Sequence, residues 1–297
     1  MENKGQPDQA LEYYAKAREL SKTYKIKCRN AYRNAADILT KAQRGDEALD
    51  IIEDLYQQYG QAGDLLQIHL LTQIFGKPQL AMENLARWAA ATHTPKESFE
   101  YQSKYAEILR LAGQPEKAAE ICRRFIDEAP GACFFGGNLY YNMGRYEEAL
   151  EIFLKGMEVC PEEKKNFLGA AKSAFRLGRR EDAKKYAQAG LDTYPADRYA
   201  EPGPYFLQDE VVYGALLALT GDFSGGISLV EKEMWGEMCR GCHYRECIDA
   251  YIELSDMYDF IGDKEKALEM AQKGCLVSEF DFDLISERKR LEEELKC

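Results

Sequence analysis

The sequence predicts an all-α fold, a right-handed α-solenoid of antiparallel helix pairs, and three observations predict it. First, a block made of a turn residue, two or three polar residues, a small residue and then apolar residues at helical spacing recurs eight times. Second, its small residue falls at Ala10, Ala48, Ala81, Ala118, Ala149, Ala183, Gly226 and Ala267, so successive copies stand 38, 33, 37, 31, 34, 43 and 41 residues apart. That scatter centres on the roughly 34 residues of one helix-turn-helix unit. Third, the later copies follow another helical pattern, as Tyr105, Ala106 and Leu109 precede Gly113 and Leu254, Ser255 and Tyr258 precede Gly262.

Taken in chain order, residues 1–23 supply only the second helix of an incomplete first unit, residues 24–280 supply seven helix-turn-helix repeats, and residues 281–297 supply a terminal capping helix. All belong to one domain. The apolar face of the first helix, with Leu11 and Tyr14, is expected to lack a partner helix and to be the edge through which two copies would pair. Gly113, Gly144, Gly178, Gly221 and Gly262 fall where a first helix must stop, and Pro130, Pro161 and Pro195 fall where a second helix must end. The clearest copy runs from Gly144 to Gly156: Ala149 lets two helices approach and Phe153 fills the groove one turn later. Ala149→Leu is therefore expected to over-pack the crossing and cost about 1–3 kcal/mol. Denaturant unfolding checks this, and an unchanged midpoint would remove Ala149 from the crossing.

These residues resemble the tetratricopeptide repeat family, whose pattern has small residues at the helix crossing, an aromatic four residues on and Pro at the end. The resemblance spans nearly the whole chain, although Trp88 and Phe125 stand where a small residue is usual. It implies a superhelix whose first helices line a concave groove that binds protein or peptide. Some members grip acidic tails through Lys, Asn and Arg on three consecutive first helices. Arg33 and Asn34 offer a fragment of that pattern, but Gly63 and Gln67 occupy the following unit, so the resemblance does not extend to that activity.

Composition agrees with a folded array: 45% of residues are hydrophobic, 30% are charged and only 9 are Pro. A formal charge of −12 excludes non-specific nucleic-acid binding, which needs excess cations on phosphates. No run approaches the length of a membrane span, and the polar first residues contain no signal-peptide core, so a cytoplasmic chain is expected. Nine cysteines without an export signal are expected as thiols.

No phosphate-binding, dinucleotide-binding, nucleophile-elbow or metalloprotease motif occurs, and His69, His93 and His243 are the only histidines, so no enzyme is predicted. Cys239, Cys242, His243 and Cys247 could supply ligands to a structural zinc, but they form half of a two-pair motif, and the plainer reading is that no cofactor is bound. The helical period places Arg33, Asp37, Leu66, Leu70, Glu107 and Arg110 on the concave side. Further along, Phe134, Asn138, Tyr141, Lys172, Phe175 and Arg176 form the strongest candidate partner site, combining aromatics, an amide and two cations. Asp249, Glu253, Asp256 and Asp259 recur at helical intervals and make an acidic face that would attract a basic partner segment. The expected function is a non-catalytic scaffold or adaptor. The alternatives are a peptide- or ligand-responsive regulator, or a fragment of a larger protein with a small metal site.

Overall fold

A computed structural model describes residues 7–195, 207–234 and 245–296, and these residues contain sixteen helices and no strand. The helix α1 (Pro7–Tyr24) comes first. Seven antiparallel pairs follow: α2 (Arg29–Lys41) with α3 (Gly45–Tyr59), α4 (Ala62–Ile74) with α5 (Pro78–Thr92), α6 (Phe99–Leu111) with α7 (Pro115–Arg123), and α8 (Pro130–Asn142) with α9 (Tyr146–Val159). The remaining pairs are α10 (Lys164–Arg176) with α11 (Arg180–Leu191), α12 (Leu207–Leu219) with α13 (Phe223–Glu233), and α14 (Arg245–Phe260) with α15 (Lys264–Val277), before a final α16 (Phe282–Glu294). This is the all-α repeat array that the recurring block predicts.

The pairs form because each helix has one apolar stripe that water would otherwise cover. In α9 the stripe is Ala149, Leu150, Ile152, Phe153 and Gly156, all buried. The Phe153 ring enters a notch between α8 and α10: a Cβ on Gly137 would stand 2.6 Å from that ring, and one on Gly169 would stand closer still. Gly144 and Gly178 end their helices at φ of 72° and 74°, the left-handed conformation that glycine adopts without a steric penalty. Pro130 is used differently from the sequence expectation. It opens α8 at the first turn, where the missing N–H is not needed, rather than only closing the helix before it.

The core is a chain of local clusters passing from pair to pair, as a repeat array requires. One expectation at its N-terminal end is corrected. Leu11 packs into the first cluster, and the Tyr14 hydroxyl accepts a hydrogen bond of 3.1 Å from the Asn34 amide, so both residues are turned toward α2 and α3. The apolar side chains that α1 leaves exposed are Tyr13, Leu20 and Tyr24.

Candidate functional site

The two candidate faces read from the sequence meet each other. Lys172 of α10 reaches Glu253 at 2.7 Å and Asp256 at 2.6 Å, and Arg176 reaches Asp256 at 2.5 Å and also binds Asp259. Lys165 pairs with Asp249 at 3.3 Å. These partners lie about 80 residues apart in the chain, so no local periodicity connects them. Lys172 is 6% exposed and Asp256 2% exposed. The cations therefore do not stand free in an open groove, and the four carboxylates are not a solvated acidic surface. The correction has a simple cause: the array curves until α14 and α16 face α8 and α10, and opposite charges on the inward sides neutralise each other.

Aromatic groups complete this cluster. The Tyr141 hydroxyl donates to Asp256 at 2.9 Å and accepts from Arg176 at 3.0 Å, and burial drives its phenol well above the ordinary range, so it remains protonated. Phe175 stacks at 4.3 Å on Phe260 and meets Phe223 at 6.0 Å, which makes it part of the packing between pairs. Burial alone would raise the Asp256 carboxyl, but Lys172 and Arg176 outweigh it and hold it down to about 2. Among the described residues Glu253 pairs with Lys172 alone. Burial pushes its carboxyl up to about 7 against that cation, helped by Asp256 and Asp249.

A second set of ties fastens the C-terminal segment to the middle of the array. Asp283 accepts from Arg110 at 2.9 Å, from Asn142 at 2.7 Å and from Arg245 at 3.0 Å. The first of these bonds spans 173 residues. Asp281 caps α16 by accepting the backbone N–H groups of Asp283 and Leu284 at 3.1 Å each.

Beside these ties lies a cleft of about 620 Å³. Its floor comes from three successive first helices: Leu70, Gln73 and Ile74 of α4, Phe99, Glu107 and Arg110 of α6, and Phe134, Phe135 and Asn138 of α8. The connector from Ser278 to Phe282 forms its far wall, with Phe280 beside Gly76. Of the residues placed on the concave side by sequence, Leu70, Glu107, Arg110, Phe134 and Asn138 line this cleft. Tyr141, Lys172, Phe175 and Arg176 do not. The Asn138 amide has no hydrogen-bond partner among the described residues and also borders a smaller chamber of about 40 Å³ that reaches Lys172 and Glu253. Gln73 was legible in principle, one helical turn beyond Leu70. Phe280 was not, because nothing local brings a connector from the last repeat against α4.

Cys239, Cys242 and His243 lie outside the described residues, and Cys247 is half-buried on α14. Among the described residues no group of three or more potential ligands is poised to hold a metal, and no helix is long and apolar enough to cross a membrane.

Residues 2–63, 101–132 and 130–163 each match a family model described as a tetratricopeptide repeat. Curated proteins provide no match. Among solved structures the chain is similar to a tetratricopeptide repeat protein from Parabacteroides merdae, with 15% identity over 96% of this chain and 99% of that one and a TM-score of 0.47. It is also similar to a chain of the APC/C hetero-tetramer Cut9-Hcn1, with 10% identity over 95% of this chain and 52% of that one and a TM-score of 0.46. A third, MamA, has 18% identity over 53% of this chain and 93% of that one, with a TM-score of 0.40. With the repeat matched in three stretches of an array built of helix pairs, residues 2–63 and 101–163 of this chain carry tetratricopeptide repeats.

Proposed function

We propose that this chain is a non-catalytic scaffold that holds a segment of a partner protein in the cleft across α4, α6 and α8. The observation that carries the reading is the cleft itself. At about 620 Å³ it falls within the roughly 300–1,000 Å³ of ligand sites, and it combines apolar walls with an amide that has no partner within the described residues. Such an amide can pair with a peptide backbone, while Leu70, which is about half exposed, and Phe134 offer apolar contact.

The test is capture of partners by the immobilised protein, identified by mass spectrometry, beside a Leu70→Glu, Asn138→Ala variant. Neither substitution touches the buried ion cluster. Partners depleted at least ten-fold in the variant support the cleft as the site. Partners retained at full yield move the site elsewhere on the molecule.

A second reading, a peptide-responsive regulator, is favoured by the bond from Arg110 in the cleft floor to Asp283 in the C-terminal segment. A segment entering the cleft would press on a wall fastened to α16. A change in radius of gyration on binding distinguishes this regulator from a rigid adaptor.

A further inference from the structure

The cleft floor contains a carboxylate that forms no salt bridge with any described residue. Glu107, half-buried on the inward side of α6, makes no ion pair with any described residue, and its one polar contact is the Gln73 amide donating at 3.2 Å. The cations nearby make their salt bridges elsewhere, although the Glu107 carboxylate also acts on the Arg110 charge through space. Arg110 is bound to Asp283 at 2.9 Å and lies over the Phe135 ring, Arg245 is divided among Asp249, Asp281 and Asp283, and Lys104 lies 5.0 Å from the Trp88 ring centre. Elsewhere on the inner side carboxylates and cations pair closely, so Glu107 is an exception within a matched surface. A partly buried carboxylate beside aromatic walls gains most from a donor that brings a charge with it.

We propose that Glu107 selects a lysine or arginine side chain of the partner segment, flanked by apolar residues that occupy the walls formed by Leu70, Phe134 and Phe135. The inference rests on the cleft being a peptide site. It commits to a basic, apolar peptide because the vacant bonding capacity is a carboxylate in apolar surroundings. Three successive helices contribute to the floor, so an extended segment fits the cleft better than a compact cation does. Gln73 donates to Oε2 of Glu107, and no hydrogen bond from a described residue reaches Oε1.

The probe is a set of blocked, fluorescently labelled hexapeptides of mixed apolar residues with one defined central residue: arginine, lysine, glutamine or glutamate. Polarisation titrations against the whole chain are expected to show arginine and lysine peptides binding at least about ten-fold tighter than the glutamine peptide, with the glutamate peptide weakest. Glu107→Gln retains the Gln73 contact and should bind arginine and glutamine peptides alike. An arginine preference that persists in Glu107→Gln, with an unchanged thermal melt, overturns Glu107 as the selecting group. Equal binding of arginine and glutamine peptides by the wild type overturns the basic preference while leaving the cleft as a peptide site. Binding of free arginine as tightly as the peptide overturns the extended ligand. Absence of binding by any peptide, or binding of the glutamine peptide unaffected by Leu70→Glu, overturns the cleft as a peptide site altogether.

Discussion

Asp256→Ala is expected to destabilise the chain by about 3–5 kcal/mol, because it leaves Lys172 and Arg176 buried without their shared anion. Three donors converge on this carboxylate: Lys172 at 2.6 Å, Arg176 at 2.5 Å and the Tyr141 hydroxyl at 2.9 Å. Urea unfolding measures the loss, and hydrogen exchange locates it, since α14 to α16 should lose protection before α2 to α7. A loss below about 1 kcal/mol with unchanged exchange would mean that the cluster is hydrated in solution, in the range typical of surface pairs. The pH dependence has two limbs of opposite sign. Asp256 is held below its ordinary value, so its contribution is present above about 3.8 and is lost as pH falls through about 2. Glu253 is raised, so its contribution is fully present below its ordinary 4.5 and is lost as pH rises through about 7. Glu253→Gln should flatten the second limb and leave the first unchanged.

Phe153→Ala is expected to cost about 3–5 kcal/mol, the range for removing a buried aromatic ring that neighbours cannot replace. The ring is fully buried in the second hydrophobic cluster and occupies the notch made by Gly137 and Gly169. Helices on both sides are fixed by their own pairs, so the space should close only in part. The geometry also predicts coupling. Gly169→Ala alone should over-pack the ring at about 1–3 kcal/mol, and the same substitution should cost much less in a Phe153→Leu background. A double-mutant cycle by denaturant unfolding measures this. Strict additivity would show that the ring and the glycine do not share the notch.

Both results concern the same question, how an array of local units acquires long-range order. In a repeat protein each pair stabilises its neighbours, and Phe153 acts at that level. Asp256 acts at another level, joining units that are neither adjacent in sequence nor consecutive in the array. Replacing a buried ion pair with apolar side chains is often neutral or stabilising. The charges here therefore contribute most by fixing which surfaces meet, which sets the position of the C-terminal connector and hence the far wall of the cleft.

The sequence by itself determined the helices, their pairing and the places where they stop. Those features depend on residues within about 34 positions of one another, and the period of small and apolar side chains records them directly. Ala149, Phe153, Gly144 and Gly178 were all legible for that reason. Sequence periodicity also identified which sides of α6 and α8 face inward, and so placed Glu107, Arg110, Phe134 and Asn138. Only the tertiary structure decided which inward residues remain available. The small rotation between successive pairs accumulates along the chain until α14 and α16 reach α8 and α10, and that sum is written in no single repeat. Lys172 and Arg176 on one side and Asp249, Glu253, Asp256 and Asp259 on the other look like two binding faces when each is read locally. Curvature brings them together, their opposite charges are buried in mutual contact, and the cleft opens instead where Glu107 and Asn138 meet no such partner among the described residues.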